Sequence, residues 1–383
     1  FDLEGVTTLA GSKLRQTTSP AAADATLVQR LKAAGAITLG ALNMGEFAYD
    51  FTGENVHYGP SRNPHDQRQM AGGSSGGSGA AVGGGLVPLA LGSDTNGSIR
   101  VPSAFCGLFG LKPTYGRLSR AGTFPFIDSL DHLGPMARSI ADLALAFNVM
   151  QGPDPLDPVC NSDAPFLDTL SKLDELPPLR IARLGGWFRG QGELGSDEAA
   201  DKLAKELGAG EDLEIEGAAS ARAAAFVITN VEGAALHLDD VRKTPELYDP
   251  FVRDRLLAGA LVPGVHYVHA QRARLRFQQQ MAKAFERFDL LVAPTTPMTA
   301  PPIGSDTVVL NGSTVPLRAN IGIYTQPISF VGLPVVSCPY WSSSLPYGVQ
   351  LIAPPWREDF ALKAAHYLQV SGKSLSRTGT GRA

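Results

Sequence analysis

The alternation of apolar and polar positions predicts helices and strands in turn along the first hundred residues. Apolar side chains recur at helical spacing over residues 27–34, and Gly35 follows as a helix stop. The run AITLGALNM, residues 36–44, then predicts a short buried strand, and residues 86–94 predict another. This order of elements is typical of α/β proteins, in which helices cover both faces of a sheet.

The rest of the chain continues this pattern. The segment ARSIADLALAFNVMQG predicts a helix in which Ser139 is the N-cap, Asp142 follows three residues later and Gly152 ends the helix. Residues 193–222 are richer in charge, Ala and Gly, so we interpret them as peripheral. No linker separates the first and last strands, which predicts one domain over residues 1–383. The late buried strands are predicted over residues 290–293, 332–341 and 345–355.

Composition and charge exclude several classes of protein. The 383 residues are 44% apolar and 18% charged, and the net charge is −4, which disfavours nucleic-acid and membrane partners. No apolar run reaches the roughly 18 residues of a membrane-spanning helix. Three distant cysteines favour reduced, buried thiols, and the pair His266 and His269 lacks the neighbouring ligands of a zinc site. We therefore expect a cytoplasmic protein without a metal ion.

The stretch MAGGSSGGSGAAVGGG, residues 70–85, allows three interpretations. A flexible linker is disfavoured because regular structure flanks the stretch and its second half predicts a short helix. A phosphate loop needs a lysine, and none occurs over residues 70–111. A dinucleotide loop needs a preceding strand, which NPHDQRQMA does not form. The third interpretation is a backbone shaped around a reactive serine.

A second segment supports the reactive serine. GSDTNGSIRVPSAFCGLFGLKP begins 18 residues after Ser74 and contains a strand end, a tight polar turn and then Ser98 before a predicted helix. A serine on such a turn is presented to substrate, and the amides just before it can point at one oxygen atom. That is the arrangement of an oxyanion hole.

These segments resemble the signature of the amidase signature family. Residues 72–119 carry the resemblance, and the segments ALNMGEFAYDFTGENVHYGPSRNP, SLDHLGPMARSIADLA, APTTP and GLPVVSCP…LPYGVQLIAPP extend it over most of the chain. The resemblance implies an α/β fold with a large, mixed, twisted β-sheet that helices cover on both faces. It also implies a hydrolase of linear amide C–N bonds that uses no cofactor.

The resemblance assigns roles to particular residues. Ser98 matches the nucleophile, and Ser74, 24 residues earlier, matches a bridging serine that follows a cis peptide bond. The amides of Thr95, Asn96 and Gly97 match the oxyanion hole. A serine hydroxyl needs a base, which in this family is a neutral lysine whose pKa is lowered by burial.

The position of that lysine lies outside the sequence. FDLEGVTTLAGS matches the residues that follow the lysine in the family, which puts the lysine three residues before Phe1. Lys13 does not match it, and Lys112, in GLKPTYG, matches a structural residue of the family. We therefore expect about 70 further residues, with the lysine among them, at the start of the intact protein, and no activity without them.

Asn96 departs from the family pattern, which has Gly-Gly-Ser where this chain has Asn96-Gly97-Ser98. Asparagine commonly replaces glycine at a positive φ, so one interpretation is conformational. The other interpretation is that the side-chain amide of Asn96 faces the substrate and selects it.

Within the family, FDLEGVTTLAGS, LNMGEFAYDFTGENVHYGPSRNPHD and GSDTNGSIRVPS are most similar to the subgroup containing the 1-carboxybiuret hydrolase of s-triazine degradation. That resemblance implies a small urea-like or carboxylated amide substrate, release of ammonia, a homo-oligomer and a small accessory subunit. Two alternatives remain open. One is the glutaminase component of the tRNA-dependent amidotransferase, its A-type chain, and the other is a non-catalytic scaffold that has lost its lysine.

Five further residues have predicted roles outside the triad. Glu46 and Tyr49 belong to a segment that lines the substrate pocket in relatives, although packing beneath the glycine-rich loop is an equal alternative. Arg318 falls where relatives contact substrate, so it is either a carboxylate anchor or a solvated loop residue. Asp94 and Arg100 flank the nucleophile turn, and we expect them to form an ion pair that holds it.

Overall fold

The computed structural model describes residues 1–380, and these residues form eleven α-helices and ten strands. The helices are α1 (Thr26–Ala33), α2 (Gly76–Gly83), α3 (Arg100–Phe105), α4 (Ile140–Met150), α5 (Leu194–Glu206), α6 (Ala218–Lys243), α7 (Pro250–Ala260), α8 (Gly264–Arg287), α9 (Leu317–Asn320), α10 (Gln326–Phe330) and α11 (Glu358–Val370). The strands are β1 (Leu89–Asp94), β2 (Phe109–Lys112), β3 (His132–Ala137), β4 (Ile181–Leu184), β5 (Glu211–Leu213), β6 (Leu290–Pro294), β7 (Thr307–Leu310), β8 (Ser313–Pro316), β9 (Val335–Tyr340) and β10 (Tyr347–Ile352).

Eight of the strands form one mixed sheet in the order β1-β3-β2-β9-β10-β6-β4-β5. Strand β4 runs parallel to both of its neighbours, whereas the other pairs in the sheet are antiparallel. In the central pair, Val335 of β9 lies opposite Ile352 of β10. Strands β7 and β8 form a separate hairpin. The mixed sheet confirms the predicted α/β architecture.

Helices cover both faces of this sheet because successive side chains of a strand point to opposite faces. In β6, Leu291 and Ala293 pack into the core shared with α6, α7 and α8. Leu290 and Val292 point the other way, into the core shared with α4, α5 and α11. Near-continuous apolar strands are typical of sheets that are buried on both faces.

The strongest sequence signals correspond to elements of the structure. The helix predicted around residues 137–152 is α4, and the Ser139 hydroxyl oxygen accepts a hydrogen bond from the Asp142 backbone N–H at 3.1 Å. The predicted late strands are β6, β9 and β10. Cys106, Cys160 and Cys338 are buried free thiols, as predicted.

The strand predicted over residues 36–44 is wrong. These residues pair with no other strand in the described part of the chain, and Ile37 and Leu39 are 86% and 76% exposed. An apolar run shows that a segment suits a sheet, but a strand forms only where a neighbour supplies N–H and C=O partners. The sequence pattern contains no information about that neighbour.

The interpretation of residues 193–222 as peripheral is also wrong for α5. Ala199 and Leu203 of α5 are buried in the core against β6 and β10. Strand β5 forms one edge of the main sheet, next to β4. The apolar face of α5 is made mostly of alanine, which is a weak periodic signal, and charged residues fill its other face.

No helix among residues 1–380 is both long enough and apolar enough to cross a bilayer.

Candidate active site

Ser74 lies in the glycine-rich loop immediately before α2. The peptide bond between Gly73 and Ser74 is cis, the geometry that the resemblance implies. Residue 73 must be glycine, because a Cβ there would lie 2.7 Å from the backbone nitrogen of Gly53. The backbone N–H of Ser75 donates to the carbonyl of Ser98 at 3.3 Å. That bond ties the two serine segments together.

Ser98 lies on the turn between β1 and α3. The turn packs against Thr325 so closely that a Cβ on Gly97 would lie 2.3 Å from the Thr325 hydroxyl oxygen, and Gly97 has a φ of +146°. The backbone N–H groups of Asn96 and Gly97 donate to no other residue in the described chain. They are therefore available to an oxygen atom of a ligand, as an oxyanion hole requires.

Behind the turn, Asp94 and Arg100 form the predicted ion pair. Both side chains are fully buried, and Arg100 Nε lies 3.0 Å from Asp94 Oδ2. The guanidinium also donates to Gln350 Oε1 at 2.9 Å, to the Thr325 carbonyl at 3.1 Å and to the Ser329 hydroxyl. Burial alone would raise the pKa of Asp94, but the charge and hydrogen bonds of Arg100 outweigh it and hold the pKa at about 2. The pair is therefore ionised, and it fixes the turn.

Asp131 is a second buried support, and sequence reasoning missed it. Its Oδ1 accepts a hydrogen bond from the Thr95 hydroxyl at 2.6 Å, and its Oδ2 accepts from the N–H groups of Phe126 and Ile127 at 2.8 and 2.9 Å. Burial raises the pKa of Asp131 to about 6, although these three donors lower it. The carboxyl group thus joins the oxyanion turn to the segment that contains Phe126.

A pocket opens in front of Ser98. One wall consists of Thr95, Asn96 and Ser98. The lining also includes the rings of Tyr49 and Phe126, whose centroids are 4.8 Å apart. The pocket therefore joins the Ser98 hydroxyl and free backbone N–H groups to an aromatic surface, which suits a small planar ligand.

Tyr49 lies in the pocket but Glu46 does not. The Tyr49 hydroxyl donates to Asn230 Oδ1, and burial raises the pKa of this phenol. The Glu46 carboxylate is buried elsewhere, where it accepts hydrogen bonds from the Ser12 hydroxyl at 2.6 Å and from the Asp249 N–H at 2.7 Å. The packing interpretation of Glu46 therefore fits the structure.

Two arginines reach the pocket, and they differ in their partners. Arg318 lies 2.6 Å from Asp50 and 2.7 Å from Glu54, so both of its terminal nitrogens already face carboxylates. Arg255 donates to the Tyr49 carbonyl at 3.2 Å and has no carboxylate within ion-pair distance among residues 1–380. Sequence reasoning missed Arg255, which lies on α7 without any local motif.

Neither of the two lysines discussed above forms a hydrogen bond with Ser74. Ser74 Oγ is buried and forms no hydrogen bond with any described residue. Burial holds the pKa of Lys112 well below its usual value, but its Nζ donates to the carbonyls of Pro113 and Leu333. Lys13 is exposed. A buried hydroxyl without a partner lowers the stability of the folded protein.

The described chain also lacks any cluster of three or more His, Cys, Asp or Glu side chains that could hold a metal ion.

A model of the amidase family matches residues 1–362 of the chain. The chain belongs to the amidase family. This confirms the family resemblance, and the chain is accordingly a hydrolase of amide C–N bonds.

Individual relatives agree with this family. The chain is 54% identical over 377 residues to AtzE, a 1-carboxybiuret hydrolase subunit of Pseudomonas sp. (strain ADP), with 97% of this amidase and 82% of the relative covered. It is 38% identical to the A-type chain of the Glutamyl-tRNA(Gln) amidotransferase of Thermus thermophilus, with 94% and 80% covered.

A solved structure, described as a vestigial protein complex that reveals the evolutionary origins of an s-triazine catabolic enzyme, has the same fold. It superimposes on this amidase with a TM-score of 0.97 and is 53% identical to it in sequence. The match covers 98% of this chain and 83% of the other.

Proposed function

We propose that this amidase hydrolyses a small, carboxylated, urea-type amide of the 1-carboxybiuret kind and releases ammonia. The observation that carries the proposal is the pocket that places Arg255, a cation without a carboxylate partner among the described residues, together with Ser98. The 54% identity to a 1-carboxybiuret hydrolase subunit supports the same substrate class.

The proposed reaction forms a covalent intermediate at Ser98. The Ser98 hydroxyl oxygen bonds to the substrate carbonyl carbon, and the proton of that hydroxyl passes to Ser74. The negative oxygen that develops is held by the backbone N–H groups of the turn, Asn96 and Gly97 among them. The C–N bond then breaks, the nitrogen takes up a proton and ammonia leaves. Water releases the acyl group from Ser98 and restores the hydroxyl.

The proton acceptor in this scheme is the lysine that the family resemblance implies, in contact with Ser74 Oγ. The resemblance to the family assigns this role to a lysine, and the buried, unpartnered Ser74 hydroxyl supports it. A neutral lysine in such a place can take the proton of Ser98 through Ser74 and return it to the departing nitrogen.

Arg255 is the residue that we propose to bind the substrate carboxylate. A guanidinium binds a carboxylate through two parallel N–H groups, which fixes the orientation of a flat substrate. Arg318, the candidate from sequence, has Asp50 and Glu54 as partners and would have to exchange them for a substrate. With these partners, Arg318 instead holds the Asp50–Glu54 segment at the edge of the pocket.

We also propose that this amidase associates with further copies of itself and with a small accessory subunit. The solved s-triazine relative was described as a protein complex, which supports an assembly. Co-purification and measurement of the mass in solution would test this part of the proposal independently of activity.

The function is tested with the protein expressed from its complete reading frame. We expect ammonia release from 1-carboxybiuret, and covalent labelling of Ser98 by a fluorophosphonate probe that is detected by mass spectrometry. Ser98→Ala is the matched control, and it should lose both signals. An unlabelled Ser98 in the folded protein would instead indicate a non-catalytic scaffold. Ammonia from glutamine alone, in the presence of a tRNA-binding partner, would indicate an amidotransferase component.

A further inference from the structure

Asn96 does not occupy a backbone conformation that requires glycine or asparagine. In the described chain, the non-glycine residues with positive φ are Ala10, Phe47, Ala48, Asn311 and Trp356. The conformational interpretation of Asn96 is therefore wrong, and the strained position of the turn is Gly97. The reason for an asparagine must lie in its side chain.

The Asn96 side chain has one satisfied end and one unsatisfied end. Its Nδ2 donates to the Thr229 hydroxyl of α6 at 2.9 Å. Its Oδ1 is buried and accepts no hydrogen bond from any residue in the range 1–380. The residue is 8% exposed and lines the pocket beside Ser98. The bond to Thr229 holds the amide in place, so the unsatisfied oxygen has a fixed position.

A buried acceptor without a donor is unfavourable unless a ligand supplies the donor. The backbone N–H of Asn96 is available for the substrate carbonyl oxygen, and the side chain starts from the same residue. We therefore place the Oδ1 atom beside the groups attached to the carbonyl carbon. In a urea-type substrate one of those groups is N–H, whereas in an ordinary amide it is carbon, which offers no donor.

We propose that Asn96 is a specificity-determining residue whose Oδ1 accepts a hydrogen bond from the N–H next to the scissile carbonyl of the substrate. This inference rests on the proposed function. The inference adds that the pocket recognises the N–H next to the scissile carbonyl, in addition to the substrate carboxylate and the amide that is cleaved. A site that hydrogen-bonds a substrate N–H discriminates strongly against an analogue without it, because the buried acceptor is then left unpaired.

Biuret and malonamide form a matched pair of substrates for the test. They have the same length and the same terminal amides, and they differ only in a central N–H or CH₂. The measurement is the ratio of kcat/KM for biuret to kcat/KM for malonamide, in the protein from the complete reading frame and in Asn96→Ala. Intrinsic differences in reactivity, and any loss common to both substrates, cancel when the ratios of the two proteins are compared.

We expect Asn96→Ala to lower this ratio by about tenfold, the effect of one buried hydrogen bond. Thr229→Val is the comparison variant: it keeps the acceptor but removes the hydrogen bond that fixes its position, so it should lower the ratio in the same direction and by less than Asn96→Ala does. Fluorophosphonate labelling of Ser98 is measured in the same samples. Labelled Ser98 with an unchanged ratio in Asn96→Ala would overturn this inference and leave the proposed function in place. Unlabelled Ser98 in the unsubstituted protein would overturn both.

Discussion

The two sides of the Ser98 turn differ in how completely their polar groups are satisfied. Behind the turn, the buried charges of Asp94 and Arg100 face each other and are surrounded by hydrogen-bond partners. In front of it, Ser74 Oγ and Asn96 Oδ1 are buried without partners in the described residues. Arg255, which also lines the pocket, has no carboxylate within ion-pair distance among residues 1–380.

This difference separates groups that hold the site from groups that act on a ligand. A rigid, fully bonded support can keep a reactive serine in one position. Unpaired buried groups reduce the stability of the free protein, and a ligand that pairs with them can offset that loss when it binds. The comparison predicts that substitutions behind the turn change stability, and that substitutions in front of it change substrate preference.

The largest effect is expected behind the turn. Arg100→Met leaves the Asp94 carboxylate buried without its cation, which should lower the free energy of unfolding by about 3–5 kcal/mol. Urea denaturation followed by circular dichroism measures this change. The double variant Arg100→Met, Asp94→Asn removes both charges and should recover much of the loss. An equal loss in the single and double variants would show that packing, and not charge, holds the turn.

The next largest effect is a dependence of the free energy of unfolding on pH, which arises from the titration of Asp131. Its folded pKa is about 6, and an unfolded aspartate titrates near 3.9. The folded state thus retains a proton that the unfolded state loses, so this contribution to stability is full below pH 4 and is lost as the pH rises through 6. Relative to Asp131→Asn, the free energy of unfolding should fall by about 2 kcal/mol between pH 4 and pH 7.

Asp131→Asn is a suitable reference because its amide can still accept the N–H groups of Phe126 and Ile127 through its oxygen. Thermal or urea unfolding of both proteins at each pH gives the difference between their free energies of unfolding. A difference that stays constant between pH 4 and pH 7 would show that Asp131 titrates normally in the folded protein.

The smallest of the three effects lies in front of the turn. Arg255→Gln should lower kcat/KM for a carboxylated substrate, relative to the matching uncharged amide, by about 10- to 100-fold, mainly through KM. The charge-assisted bonds to the carboxylate are lost, while the nucleophile stays in place. Steady-state kinetics on the two substrates gives the ratio. The control Arg318→Gln should lower activity on both substrates alike, and a ratio that moves in this variant instead would make Arg318 the anchor.

The sequence was informative about the turn because its residues are close together in the chain. The strand, the polar turn and the helix around Ser98 follow one another within residues 89–105, and the pairing of Asp94 with Arg100 follows from their spacing. Few structural roles other than shaping the backbone around a reactive serine call for such a cluster of small and hydroxyl-bearing residues.

The remaining parts of the site depend on tertiary packing. Thr229 and Arg255 lie more than 100 residues from Ser98, on helices whose local sequence contains no motif that points to a site. Asp131 belongs to SLDHLGP, a segment that the sequence marks as part of the family pattern without indicating that it contacts Thr95. The pattern over residues 36–44 failed for a related reason, since strand pairing also depends on distant residues.

The placement of Thr229 on α6 and Arg255 on α7 has a consequence for how such enzymes diversify. In the proposed function the reacting serine belongs to the turn between β1 and α3, whereas Thr229 and Arg255, which line the pocket, come from two helices that pack against each other. Substitutions on α6 and α7 can therefore accumulate without altering the serine or its supports. One catalytic turn can in this way serve a series of enzymes that differ in the amide they accept.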